Sequence, residues 1–84
     1  LINNAGIYPR KGERFGSVDG EAWMRTFRTN TIAPLRMCEA LIEHVASSGK
    51  KTIVNITSLM GSIGDNSSGG SYAYRSSKAA LNMV

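Results

Sequence analysis

A tyrosine and a lysine stand four residues apart in the run YRSSK, at Tyr74 and Lys78. Four residues is about one helical turn, so in a helix both side chains leave the same face. A free tyrosine ionises near pH ~10, too high for proton transfer at neutrality, and an ammonium held beside a phenol favours the phenolate. A tyrosine tuned in this way can donate or take a proton in carbonyl–alcohol chemistry. Alone, the pair is weak evidence and a solvated helix face is the better reading, because the two types fall four apart in many helices.

Three further features point to the same chemistry. The first is NNAG at residues 3–6. Gly6 permits close approach of backbone to a ligand, and an asparagine can tie neighbouring strand ends or bond a ribose or base. The same tetrapeptide also suits a plain strand-ending turn. The second is Ser58, which closes the run VNITS and lies 16 residues before Tyr74. Its hydroxyl can hydrogen-bond a carbonyl oxygen and stabilise charge developing there. No GxSxG elbow surrounds it, so it reads as a donor and not a nucleophile. A loop serine bonded to local backbone is the alternative.

The third is Asn30 with Pro34. In a regular helix the amide of residue 34 bonds the carbonyl of residue 30, and proline has no amide to give. The helix is expected to kink there, and the released Asn30 carbonyl can hold a water beside Lys78. From these residues alone, a plain kink with Asn30 in solvent is the more economical reading.

Positioning these groups requires a particular order of elements. Leu1 to Asn4 reads as the end of a strand, and 5–18, with Pro9, Gly12 and Gly16, as a loop. Asp19 can cap a helix starting near Gly20. Trp23, Phe27, Asn30, Pro34, Cys38, Leu41 or Ile42, and Val45 then recur at helical spacing. Ser47 and Ser48 end that helix, with Gly49 expected just past it. Thr52 to Ile56 suits a buried parallel strand. Residues 59–71 form a loop, and 72–84 a helix. Strand–helix–strand–helix is the α/β pattern, with parallel strands because each crossover holds a helix. Ligands of such sheets bind beyond the carboxyl ends of the strands, where NNAG and Ser58 fall.

Composition narrows the field. The net charge is +4, but the ten lysines and arginines are dispersed, from Arg10, Lys11 and Arg14 to Arg75 and Lys78. They form no stripe and carry no interleaved aromatics, so no nucleic-acid partner is expected. Cys38 is the single cysteine and His44 the single histidine, so neither a disulfide framework nor a metal cluster is expected. Cys38 reads as a small core residue, and His44 as a cation near a helix C-terminus. No apolar run approaches the ~20 residues of a membrane span.

Taken in this order, NNAG (3–6), the asparagine of NTIAP (Asn30), the serine of IVNITS (Ser58) and YRSSK (74–78) resemble the short-chain dehydrogenase/reductase family. The resemblance covers essentially the whole chain. The run from Gly61 to Met83 looks like the sniffer and C-factor branch of carbonyl-reductase-like members. The interval from serine to tyrosine is longer than is usual in the family. The extra positions lie in 65–71, so the serine role is carried to Ser58, with Ser62 as its rival.

The resemblance implies a Rossmann-like, doubly wound parallel sheet that binds NAD or NADP. It implies Asn30, Ser58, Tyr74 and Lys78 as the catalytic set. Ser58 would orient the carbonyl, and Tyr74 would protonate its oxygen as hydride arrives. Lys78 would tune the tyrosine and hold the nicotinamide ribose, and Asn30 would anchor a relay water through its carbonyl. Asn4, Ala5 and Gly6 would contact the adenosine side of the cofactor, with Tyr74 and Lys78 also at the cofactor.

On this reading residues 1–84 are a partial domain cut from a longer, cytoplasmic parent. The glycine-rich dinucleotide loop is expected before Leu1 and the substrate-binding segment after Val84. The piece alone is expected to be inactive. Family members often pair long helices across subunits, and Met24, Leu35 and Met37 lie off the main apolar stripe. The parent is therefore expected to be a homodimer or homotetramer acting on a small carbonyl or alcohol. Two other readings stand beside this one: a binding or signalling protein that kept the fold without turnover, and an epimerase or dehydratase, which also uses YxxxK.

Overall fold

The computed structural model describes residues 1–9 and 13–84; Arg10, Lys11 and Gly12, assigned above to the first loop, lie outside the described residues. The chain runs β1 (Ile2–Asn3), α1 (Gly20–Phe27), a π-helical segment (Arg28–Ile32), α2 (Ala33–Ala46), β2 (Val54–Asn55), a 3-10 turn (Leu59–Gly61) and α3 (Tyr72–Met83). This is the expected α/β order. β1 and β2 pair in parallel, with Ile2 opposite Val54 and Asn3 opposite Asn55.

The asparagines at the end of this pair lock its register. Asn3 Nδ2 donates to Asn55 Oδ1 at 2.8 Å and also to the Pro34 carbonyl at 3.2 Å. One side chain thus ties both strands to the start of α2, the strand-tying role open to NNAG. β2 is less buried than expected. Ile53 and Val54 are each 38% exposed and Ile56 43%. With two strands in the described sheet, each has one unpaired edge, so neither strand is enclosed.

Asp19 starts α1 as anticipated, its carboxylate accepting from the amides of Glu21 and Ala22. The helix then meets Pro34. The missing amide is accommodated by widening the turn before it, where the Ala33 amide reaches back to the Arg28 carbonyl. Pro34 itself falls in the first turn of α2, where an amide is not required. At the far end of α2 the expected role of Gly49 is not found. The hydroxyls of Ser47 and Ser48 bond the carbonyls of Glu43 and Val45, at 2.9 and 2.6 Å. Those serines satisfy the last turn, and the left-handed residue is Lys51, with φ 49°.

α3 is the hub, packing against the 3-10 turn, α1 and the π-helical segment. Its buried residues are Ala73, Ser77, Lys78 and Leu81, and across from them Thr26, Asn30 and Thr31 are also buried. This core is largely polar, so it must be hydrogen-bonded. Thr31 Oγ1 donates to the Ser77 carbonyl at 2.8 Å, and Trp23 Nε1 donates to Ser76 Oγ at 2.8 Å. Two successive serines of YRSSK therefore dock α3 against different parts of the first helical run.

Candidate active site

Tyr74 and Lys78 lie one turn apart in α3, as their spacing requires. Lys78 is 4% exposed. Its Nζ donates to the Ile56 carbonyl at 3.0 Å, just beyond β2, and stands 5.8 Å from the centre of the Tyr74 ring. Burial lowers the Lys78 amine below its ordinary value of 10.5, because desolvation disfavours the charged form. An ammonium has three donors, and the Ile56 bond takes one.

Gly6 borders the space beside that ammonium. A methyl placed on Gly6 would lie 3.5 Å from Lys78 Nζ and 3.7 Å from Asn30 Oδ1. The loop after β1, the π-helical segment and α3 therefore converge within van der Waals distance at this glycine. Asn4, Ala5 and Gly6 are exposed at the carboxyl end of β1.

Asn30 is not in solvent, contrary to the simpler reading of its sequence context: it is fully buried. Its Oδ1 accepts from the Ile7 amide and its Nδ2 donates to the Ile7 carbonyl, both at 2.9 Å. The same Nδ2 donates to Ser77 Oγ at 3.1 Å. The side chain thus clamps the loop after β1 onto α3. Sequence reasoning considered only the backbone carbonyl of Asn30 and missed this second use.

Ser58 opens the 3-10 turn, its Oγ accepting from the Met60 amide at 3.2 Å. A serine that accepts in a local turn keeps its own proton to donate. Ser62 makes a similar turn, accepting from the Asp65 amide. Ser62 lines a cavity of about 220 Å³ with Tyr72, Arg75, Ser76 and Ala79, positions of α3 that exclude both Tyr74 and Lys78.

Four participants escaped the sequence reading. Ser77 holds Asn30, as above. Gly61 packs against the α3 backbone, where a methyl would sit 2.9 Å from the Lys78 carbonyl carbon. Tyr8 stacks on Tyr74, with ring centres 4.5 Å apart. Glu13 caps α3 from a distance, its Oε1 accepting from the Ala73 amide at 2.9 Å. Only Gly61 carried a local signal, as a glycine three residues after the candidate serine. The rest depend on long-range packing.

Among the described residues, no three His, Cys, Asp or Glu side chains gather as a metal site, and no helix is long and apolar enough to cross a membrane. Cys38 is half-buried and receives Asn3 Nδ2 at 3.7 Å.

The whole chain, residues 1–84, matches the family described as short chain dehydrogenase. It is 43% identical over 84 residues to C-signal of Myxococcus xanthus, covering all of this chain and 50% of that protein. It is 46% identical over 72 residues to 1-hydroxy-2-glutathionyl-2-methyl-3-butene dehydrogenase of Rhodococcus sp., covering 86% of this chain and 31% of that one. The structure superposes on carbonyl reductase Sniffer of D. melanogaster with a TM-score of 0.87 and 36% identity, over 99% of this chain and 38% of that one. A carbonyl reductase from chicken fatty liver, solved with NADPH bound, gives 0.86 and 35%, over 99% and 36%. The chain spans half or less of the length of these relatives.

Proposed function

The chain belongs to the short-chain dehydrogenase family of oxidoreductases, with a Rossmann-like α/β fold, and we propose that within its intact protein it carries the proton-transfer half of an NAD(P)-dependent carbonyl reductase. The single observation behind this reading is the convergence of Tyr74, Lys78, Gly6 and Asn30 at the carboxyl ends of two parallel strands. A non-catalytic binding role requires no tyrosine beside a buried ammonium. Burying that charge is costly unless it is used or paired.

The residues present fit a nicotinamide cofactor. The Lys78 ammonium suits ribose hydroxyls, and Gly6 leaves beside it the space that a side chain would fill. Exposed backbone at Asn4, Ala5 and Gly6 suits the adenosine side. When bound, the nicotinamide supplies or accepts the hydride. Tyr74 donates the proton to the carbonyl oxygen during reduction and takes it back from the alcohol in the reverse direction. Ser58 donates a hydrogen bond to the same oxygen and steadies its developing charge. Ser58 takes this role ahead of Ser62 because the Ser62 cavity is lined by a different set of α3 positions. Lys78 holds the ribose through its ammonium, and Asn30 anchors a relay water through its carbonyl while its side chain holds the loop.

The substrate class is a small carbonyl or alcohol, the expected location is the cytoplasm, and the 84 residues are the catalytic part of a larger cofactor-binding domain. The deciding experiment is Tyr74→Phe in the intact protein. Loss of about 10²–10⁴-fold in carbonyl reduction is expected, with NADH or NADPH binding retained. Near-parental turnover would remove Tyr74 as the acid and with it this mechanism.

A further inference from the structure

We propose that Tyr8 is a positioning residue for Tyr74, holding the phenol ring in the orientation from which its proton is delivered. The proposal rests on Tyr74 being the acid. Tyr8 takes no part in the mechanism above, yet its ring lies 4.5 Å from that of Tyr74, centre to centre, at 36°. It is 47% exposed, so burial alone does not hold it there. Its hydroxyl is hydrogen-bonded to Ser71 Oγ.

Ser71 is a fixed point. It adopts φ 47° and ψ 45°, the left-handed region that a residue with a Cβ enters only when its surroundings impose it. Its amide donates to the Glu13 carbonyl at 3.3 Å and its carbonyl accepts from the Arg75 amide at 2.9 Å. The Glu13 carboxylate secures the same end of α3 through Ala73. Tyr8 is thus anchored at its hydroxyl to the start of α3 and presses its ring on Tyr74, three residues later.

The Tyr74 hydroxyl sits at the end of two torsions, so a small swing of the ring displaces it most. Proton transfer needs heavy atoms within about 2.6–3.2 Å, and the stacked ring limits that swing. Tyr8 therefore acts on the chemical step and not on cofactor affinity.

The test is steady-state reduction by the intact protein, with cofactor affinity from NADPH and NADH fluorescence titration. For Tyr8→Ala, kcat is expected to fall about tenfold, with KM, cofactor affinity and thermal midpoint near parental values. Tyr8→Phe keeps the ring but loses the Ser71 anchor, so it is expected to recover kcat only in part, to within about threefold of parental. Tyr8→Leu keeps bulk without a ring plane and reports on the ring if the alanine variant is unstable; its kcat is expected to stay about fivefold down. Turnover within about twofold of parental in the alanine or leucine variant would overturn the proposal, as would a loss matched by lost cofactor affinity that phenylalanine does not rescue. Survival of activity in Tyr74→Phe would instead overturn the reading on which it rests.

Discussion

Gly61 and Lys78 meet backbone to backbone: a methyl on Gly61 would lie 2.9 Å from the carbonyl carbon of Lys78 and 3.1 Å from its oxygen. The lysine that approaches the strand end is thus pressed from behind by a turn that only glycine can make this close. The contact joins the candidate serine's turn to the candidate lysine's helix.

Gly61→Ala is expected to destabilise the intact protein by about 1–3 kcal/mol, because neither backbone can retreat without moving α3. Lys78 would shift with it, so turnover falls too. Gly64→Ala is the control, since nothing lies within 4 Å of its added methyl. Urea unfolding of the two variants compares them, and equal midpoints would show that the turn yields.

Asn30→Ala removes the hydrogen-bond partners of the Ile7 amide and carbonyl and of Ser77 Oγ. Leaving such groups unpaired costs about 1–3 kcal/mol each where they stay dry. Asn30→Asp keeps the volume but turns an acceptor toward the Ile7 carbonyl, so it is expected to rescue little. Chemical denaturation measures the cost, and hydrogen exchange at the Ile7 amide shows whether the loop is released.

Lys78 predicts opposite pH trends for stability and for function. Burial sets its folded value below 10.5. Between that lowered value and 10.5 the unfolded chain binds more protons than the folded one, so stability contributed by this site rises with pH. The ammonium needed at the ribose is lost over the same rise. Against Lys78→Met, the parent is expected to gain unfolding free energy toward alkaline pH while losing cofactor affinity. Unchanged affinity in the variant at neutral pH would count against the ribose contact.

The helical run from α1 to α2 carries large apolar side chains that are exposed among the described residues. Met24 is 61% exposed, Ile32 51%, Leu35 50% and Met37 44%. Exposed apolar side chains are what an association surface would use. The intact protein is expected to be a dimer or tetramer by light scattering, and Leu35→Glu to shift it toward monomer. A parental monomer at micromolar concentration would dismiss the expectation.

Local spacing made much of this molecule legible. YxxxK puts Tyr74 and Lys78 on one turn in any helix, because helical pitch is a local property. Asp19 announces α1 through its own side chain, and helical periodicity gave the extent of the first helical run. Pro34 marked where that run had to change, though not that a π-helical turn would absorb the missing amide. The parallel strand pair followed from the helix held in the crossover between the strands.

What residues far apart in sequence do to one another was decided only by the tertiary structure. Asn30 is buried because the loop carrying Ile7 folds over it, a contact across 23 residues. Tyr8 reaches Tyr74, and Glu13 reaches the α3 N-terminus, only once that loop lies across α3. Gly49 is not the terminator because the Ser47 and Ser48 hydroxyls satisfy carbonyls that a left-handed glycine would have let backbone amides reach. Sequence spacing fixes which side chains share a helix face; which backbone groups they meet across the fold depends on packing, and here that packing assembles the site.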